Sequence, residues 1–357
     1  MDGTSLREMP PETPFVAAPS VPRRAVEAAD RILEISLGLL RSRILHAAAE
    51  LGIADLLAAG PLPCEALAAQ AHTDADALYR LLRALAAMGI FIELDGRAFA
   101  LNDAARFLLS DVPRSARDLV RYLGADWNVR TLGQLLHSTR SGDPAFDLAH
   151  GMPLFDYLRR HEDDARLFDS ALARFTAGAA SAVIASYDFS RFSRVVDVGG
   201  GNGQLLCAML NENPSLTGVL LDRPDVIESA RAGLVASGVA NRLQLVAGDF
   251  FEAVPPGGDV YMLKNVIHDF DAGNAIRVLS NCRKALPAGG RMLLVESILA
   301  GRNEGEFAKL MDVGMLATTG GRERTEREYA ELLESAGLRL LRVVPTKSAF
   351  SVLEAGF

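Results

Sequence analysis

The sequence predicts an α/β fold: a doubly wound, mostly parallel sheet in the second half of the chain, preceded by a helical unit that reads as a winged helix. Three observations predict it. From Arg194 onward, short strand-type segments alternate with segments of helical period, the pattern of parallel strands joined by crossover helices. The first of those strands ends in a run of glycines and passes straight into a helix. Residues 61–101 read as helix, helix and hairpin. At 357 residues the chain exceeds one typical domain. The expected division is a tail over 1–22, a helical unit over 23–187 and an α/β unit over 188–357.

The tail carries prolines at 10, 11, 14, 19 and 22 and reads as disordered. From Arg23 the period turns helical. Ile32, Leu33, Ile35, Leu37, Leu39 and Leu40 are apolar nearly all round, so a helix buried on more than one side is expected, continuing over 44–57. Cys64–Ala71 reads as a short helix, and Thr73-Asp74-Ala75-Asp76 as a capping-box-like start. Leu78, Leu81, Leu82, Leu85 and Met88 then repeat at helical spacing. Residues 91–94, the turn Asp95-Gly96, and 97–101 read as a hairpin. A winged helix raises the possibility of a DNA-binding regulator. Acids outnumber bases between Arg43 and Leu101, however, and the whole chain carries a formal charge of −8. A phosphate-facing surface needs the opposite balance, so no nucleic-acid partner is expected.

Residues 110–187 read as mostly helical, with Trp127, Phe146, Met152, Phe155, Phe168 and Phe175 scattered through them, most of them as ordinary core side chains. Tyr187-Asp188-Phe189 reads as the hinge into the α/β unit. No apolar run approaches the roughly 20 residues of a membrane span, and the N-terminus lacks a signal-peptide pattern. A cytoplasmic protein without a membrane partner is therefore expected. Cys64, Cys207 and Cys282 sit apart in helical patterns, as buried small hydrophobes of a reducing compartment would.

The chemistry gathers on the α/β unit. Val195-Val196-Asp197-Val198 runs into Gly199-Gly200-Gly201-Asn202-Gly203, and a helix follows. Such a turn lets a nucleotide-type ligand lie against bare main chain at a helix N-terminus. Asp222 closes the next strand, 217–221, where an acid can grip ribose hydroxyls. A nicotinamide enzyme could show the same pair, but its third glycine is here Gln204. Asp249 and Phe250 end the strand 243–246, an acid for an adenine amine beside a ring for its π face. The strand 260–263 leads through Lys264 and Asn265 to His268, at the carboxyl edge where open α/β sheets bind ligands. Ala272–Ala285 reads as a helix, Arg291–Glu296 as a strand and 325–336 as a helix. The strands 338–344 and 350–353 are joined too briefly for a crossover and should pair antiparallel.

Asp197-Val198-Gly199-Gly200-Gly201-Asn202-Gly203, Asp222, Gly248-Asp249-Phe250, Lys264 with His268-Asp269, Glu296, and Gly320-Gly321-Arg322-Glu323-Arg324-Thr325 fall in one order. In that order the chain closely resembles the small-molecule O-methyltransferases that use S-adenosylmethionine, of the plant caffeate and flavonoid type and their bacterial natural-product relatives. The resemblance covers nearly everything after the tail. It implies the Rossmann-like fold of class I methyltransferases, with S-adenosylhomocysteine as the product of the cofactor. It implies cofactor contacts from Asp197, Gly199, Gly200, Gly201, Asp222, Asp249, Phe250 and Lys264. It places Met152, Phe155, Asn265, Met311 and Met315 around an aromatic acceptor. It makes His268 the base, flanked by Glu296 and Glu323, and gives the N-terminal unit a role in homodimerisation through interlocking first helices. Asn265 departs from the tryptophan usual in plant relatives, and the loop at Ala317-Thr318-Thr319 is shorter than theirs, which puts plant substrates in doubt.

Residue chemistry supports the same reaction. A phenol, with a pKa of about 10, is mostly protonated at neutral pH, so methyl transfer to it calls for a base near neutrality. His268 is the one histidine after His161, and Glu296 or Glu323 could orient it. No clustered His/Asp set for a divalent ion is seen, so no metal is expected, and Asp269 and Asp271 read as caps of the helix from Ala272. Lys264 could also be a solvated strand end. The expected reaction is methylation of a phenolic or enolic hydroxyl of an aromatic secondary metabolite. A fold relative with other chemistry, a nicotinamide oxidoreductase and a winged-helix regulator stay open as alternatives.

Overall fold

The structure, a computed structural model, describes residues 23–112 and 115–357, except the side chains of 23–26 and 174–177. The expected disordered tail and the side chain of Phe175 lie outside the described residues. The chain divides into a unit ending at Arg43 and a second unit, Ile44–Phe357.

The first unit is built on α1 (Arg23–Ser36) and the start of α2 (Gly38–Glu50). The helical ladder runs on across the junction, with Leu37 N donating to Leu33 O and Arg41 N to Leu37 O, both at 3.0 Å. The single chain does not itself cover this apolar stretch. Ile32 is 68% exposed and Leu39 63%, and Leu33, Ile35, Leu37 and Leu40 are exposed with them.

The second unit opens with α3 (Ile53–Leu56), β1 (Leu62–Pro63), α4 (Cys64–Ala71), α5 (Ala75–Ala87), β2 (Ile92–Leu94), β3 (Ala98–Ala100) and α6 (Asp103–Arg106). Ile53, Leu57, Leu67, Leu78, Leu82, Leu85 and Phe99 form its core. Asp74 caps α5, its carboxylate accepting from Ala77 N at 2.8 Å. The capping box expected from Thr73 to Asp76 does not form, because Asp74 itself takes the N-cap position. β3 pairs with the predicted partner β2 and also with β1, a two-residue strand too short to show a period.

Helices α7 (Arg117–Gly124), α8 (Asp126–Leu132), α9 (Leu135–Ser141), α10 (Ala145–His150), α11 (Leu154–Arg160) and α12 (Glu162–Ser186) follow. By length and composition α12 could cross a membrane, which corrects the sequence-based statement that no such stretch exists. In the fold α12 packs along α7 and α13 (Gln204–Glu212), and Ser170 Oγ donates to Asp118 Oδ2 at 2.6 Å.

The α/β part contains β4 (Arg194–Val198), β5 (Thr217–Asp222), α14 (Pro224–Ala236), β6 (Leu243–Ala247), β7 (Val260–Lys264), α15 (Ala272–Ala285), β8 (Arg291–Glu296), α16 (Glu306–Thr318), α17 (Glu326–Ser335), β9 (Arg339–Pro345) and β10 (Ser351–Gly356). The sheet order is β6-β5-β4-β7-β8-β10-β9. The first five strands are parallel; β10 is antiparallel to β8 and to β9, as the short connection requires. Both faces of the inner strands are covered, so Val195, Val196, Val219, Leu220, Met262 and Leu293 are fully buried. The strand order reverses between β4 and β7, and the carboxyl ends of strands at such a reversal are where open α/β sheets bind ligands. The three cysteines are free and buried.

Candidate active site

The turn after β4 holds Gly199, Gly201 and Gly203 at φ 69°, 59° and 70°, which favours glycine at each. A Cβ on Gly199 would stand 2.9 Å from Val266 Cγ2 and 3.3 Å from Phe250 Cε1. One on Gly200 would stand 2.5 Å from Asp197 Oδ2, whereas one on Gly201 would meet open space. The turn is therefore closed behind and bare at Gly201. Asp222 Oδ2 accepts from Gly201 N and Oδ1 from Arg223 N, each at 2.8 Å. Burial raises the Asp222 carboxyl, and those two donors pull it back. Asp197 is buried, its Oδ1 has no hydrogen-bond partner, and burial together with Asp222 pushes its carboxyl up to about 7. Burial lowers the Lys264 ammonium to about 8 against the pull of Glu296 and Asp197; the residue is half-buried, not the fully solvated strand end that the sequence also allowed. Its Nζ lies 5.0 Å from the Phe350 ring centre. Asp249 is exposed and accepts from Phe251 N at 2.8 Å, while the Phe250 ring packs edge-on to Phe270.

The base candidate stands on the neighbouring turn. β7 leaves the sheet through Asn265, at φ 52° with Oδ1 unpartnered, and bends into a tight turn over Ile267–Asp269. Glu296, fully buried at the end of β8, holds this turn: its Oε1 accepts from Val266 N at 3.2 Å and Ile267 N at 3.0 Å. Glu323 Oε1 lies 2.8 Å from His268 Nδ1, Glu296 Oε2 3.7 Å from it, and Asp269 Oδ1 3.8 Å from Nε2. Of the two carboxylates the sequence left open as orienters, Glu323 makes the hydrogen bond and Glu296 holds the backbone. A carboxylate can only accept, so Nδ1 carries the hydrogen and Nε2 is left to exchange a proton. Burial alone would lower the imidazole; Glu296, the Glu323 hydrogen bond and Asp269 raise it instead, from 6.5 to about 9. The sequence placed the base near neutrality, and the acids gathered by the fold move it up. Burial lifts Glu296 to about 7 and Asp269 to about 6.

Asp271 caps α15, accepting from Asn274 N at 2.8 Å; Asp269 does not, because it belongs to the His268 turn. His268, Glu296 and Glu323 also form the cluster of possible metal ligands that the sequence did not reveal. Their donor set fits hydrogen bonding better than a metal. Nδ1 is taken by Glu323 and Glu296 Oε1 by two backbone N–H groups.

Met152 and Phe155, in and before α11, and Met311 and Met315 on α16 are half-buried. Arg223 lies over the Phe155 ring at 5.7 Å, which brings α11 beside Asp222. α16 packs on α8, α9 and α10, and Met315 O accepts from Thr319 N and Gly320 N, joining α16 to the Glu323 loop. Two neighbours were missed. Tyr122 on α7, packed against Trp127 and Phe168, is raised to about 12 by burial, with a smaller push from Asp269 of the base's turn. Asp169 on α12 is raised to about 6 by desolvation and by Asp222. Neither carries a local motif; a tyrosine and an acid on helices look like any others.

The O-methyltransferase domain family matches residues 130–339, and the O-methyltransferase dimerisation domain family matches 33–111, which contains the stretch 61–101 read as a winged helix. The chain is 40% identical over 331 residues to the phenazine O-methyltransferase PhzM of Lysobacter antibioticus, covering 93% of this chain and 97% of that one. It is 35% identical over 331 residues to the 8-amino-8-demethylriboflavin N,N-dimethyltransferase of Streptomyces davaonensis, covering 92% and 95%. Among solved structures it resembles the methyltransferase of calicheamicin biosynthesis in its S-adenosylhomocysteine-bound form, at TM-score 0.81, 36% identity and coverage of 94% and 99%. The chain belongs to the S-adenosylmethionine-dependent small-molecule O-methyltransferase family. It is an enzyme of that class, with the class I methyltransferase fold and S-adenosylmethionine as its cofactor.

The residues present fit that cofactor. Asp197 and Asp222 line the glycine turn, Asp197 with an orphaned oxygen, and the nearby Arg223 is committed to Asp225 at 2.8 Å. Paired acids suit a cationic ligand carrying hydroxyls and repel a pyrophosphate, which argues against the nicotinamide alternative. Asp222→Ala is expected to weaken S-adenosylmethionine binding about 10-fold or more, the worth of a charged hydrogen bond. Unchanged affinity by calorimetry on the folded variant would remove Asp222 from the site.

Proposed function

We propose that the protein transfers a methyl group from S-adenosylmethionine to a phenolic or enolic hydroxyl of a small aromatic secondary metabolite, with His268 as general base. The observation that carries this reading is the Nδ1–Glu323 hydrogen bond of 2.8 Å, which leaves Nε2 available at the carboxyl edge of the sheet. The cofactor, when bound, supplies an electrophilic methyl group on a positively charged sulfur, a charge that also favours the neutral imidazole. Nε2 takes the hydroxyl proton as the oxygen–carbon bond forms and the carbon–sulfur bond breaks. Glu323 stabilises the resulting imidazolium, and Glu296 keeps the turn in place. Cofactor contacts fall to Asp197, Gly199, Gly200, Gly201, Asp222, Asp249, Phe250 and Lys264. The aromatic ring is held among Met152, Phe155, Asn265, Met311 and Met315. The test is the pH–rate profile of His268→Ala, argued below.

A second reading is supported by the riboflavin-type relative, whose name gives a nitrogen acceptor. An amine attacks through its own lone pair, so its methylation should be nearly indifferent to His268→Ala, whereas phenol methylation should collapse.

The assembly in this proposal is a homodimer built on the N-terminal helices. Its support is the dimerisation-domain match together with the exposed apolar face of α1 and α2. Light scattering of the full chain should give twice the chain mass. Ile32→Asp with Leu39→Asp should give a folded monomer, since both side chains are exposed in the single chain. A dimer that survives both substitutions would refute this interface. A cytoplasmic location belongs to the same proposal, supported by three buried free thiols.

A further inference from the structure

We infer that Arg324 and Asp312 are positioning residues for the base: Arg324 clamps the turn that carries His268, and Asp312 holds the backbone of Glu323. The inference rests on the reading of His268 as the base. Arg324 is buried. Its Nη1 donates to Ile267 O at 3.1 Å and to Arg322 O at 3.2 Å, and its Nη2 donates to Phe270 O at 2.8 Å. The carbonyls of residues 267 and 270 bracket His268 and Asp269. The carbonyl between them, that of His268, accepts from Arg322 N at 2.8 Å. The loop carrying Glu323 thus grips the His268 turn at three points, two of them through one guanidinium. The loop is anchored in turn, because Leu299 N donates to Arg324 O at 3.0 Å just beyond the strand that ends in Glu296.

Asp312 completes the arrangement from the other side. Its Oδ1 accepts from Glu323 N at 2.9 Å, so the partner of Nδ1 is fixed to α16, the helix that carries Met311 and Met315. A planar guanidinium reaches two carbonyls in fixed directions, which an ammonium cannot do. Arg324→Lys therefore keeps the charge and loses the fork, and Asp312→Ala leaves Glu323 in place with its backbone released.

The titration of His268 reports the positioning directly. The acids that face it are Asp269 on its own turn, Glu296 from β8 and Glu323 from the loop. Around those acids stand Arg324, Tyr329 from α17, Lys264 from β7 and Tyr122 from α7. Neither proposed substitution removes any of the three acids. Asp312→Ala also takes away a carboxylate that couples to Glu323. Asp312→Asn, which keeps an acceptor for Glu323 N without the charge, separates lost charge from a loosened His268–Glu323 pair: the Asn variant should titrate near wild type if positioning is the cause.

The experiment is an NMR titration of the His268 side-chain nitrogens in free enzyme, for wild type, Arg324→Lys and Asp312→Ala, with steady-state kinetics beside it. Both variants should titrate about one unit or more below wild type, at least a tenfold change in proton affinity. Turnover should fall about 10- to 100-fold with the KM for S-adenosylmethionine unchanged, the effect of a misplaced reacting group. Asp312→Ala added to Glu323→Gln should cost nothing more, because Asp312 acts through Glu323. An imidazole titration unmoved in both variants, or independent losses in the double variant, overturns the proposal. Should Arg324→Lys fail to fold, the Asp312→Ala titration decides alone, and an unmoved imidazole overturns the proposal. Wild-type turnover in His268→Ala would instead remove the base reading, and the titration would still report whether the two residues position the ring.

Discussion

His268→Ala is expected to lower turnover by about 10²–10⁴-fold on a phenolic acceptor, the usual worth of a general base, while S-adenosylmethionine affinity stays near wild type. Affinity should stay because most of the proposed cofactor residues stand on the glycine turn after β4, at the end of β5 and just after β6, with Lys264 alone on the strand that leads into the His268 turn. The pH dependence carries a sign. A base works only when neutral, and an imidazole raised to about 9 by Glu296, Glu323 and Asp269 is largely protonated at pH 7 in the free enzyme. At that pH roughly 1 % of it is neutral. Wild-type kcat/KM should therefore climb with pH well past the 6.5 of an ordinary histidine, and level off toward about 9. Glu323→Gln should bring that rising limb down in pH, since the neutral amide no longer favours the imidazolium. In His268→Ala the deficit should shrink as pH rises, because an acceptor that ionises by itself needs no base. Full activity of this variant at pH 7 would mean that the proton leaves to water without help from the protein.

Gly321→Ala is the second large effect. A Cβ at Gly321 would lie 2.0 Å from His268 O and 2.5 Å from Asp269 C. Both contacts are backbone, and neither side can yield easily. On one side Glu296 and Arg324 hold the His268 turn; on the other Arg322 N and Glu323 N are hydrogen-bonded to His268 O and Asp312. The two loops must part by about 1 Å, which separates Nδ1 from Glu323 and displaces Nε2. A misplacement of that size costs roughly 10²-fold in turnover. The melting temperature should fall as well, by the cost of an overpacked core, about 1–3 kcal/mol. Cofactor affinity by calorimetry should be retained. If the variant turns over at the wild-type rate, the two loops do not meet as described.

Local chemistry was legible in the sequence wherever a few adjacent residues fix the outcome. The glycine turn, Asp222 at a strand end, His268 at the carboxyl edge and the bounds of Cys64–Ala71, Ala272–Ala285 and Arg291–Glu296 all follow from period, turn residues and caps. The antiparallel β9–β10 pair followed from the length of its connection alone. Other features required the folded chain. Thr73 and Asp74 are equally good caps on paper, and only the path of the chain put Asp74 at the N-cap of α5. The apolar run from Ile32 to Leu40 announced burial, but a sequence does not say whether the cover comes from the same chain, and here the single chain leaves that face exposed. His268 and Glu323 lie 55 residues apart, and two loops at one sheet edge bring them within 2.8 Å. Which carboxylate takes Nδ1, how far the surrounding acids raise the imidazole, and why residue 321 has no room for a side chain are consequences of that meeting. Residue types along the chain determine which groups can exchange a proton. Tertiary packing decides the distance and the dielectric at which they do it, because Coulomb and hydrogen-bond energies depend on separation in space and not on separation along the chain.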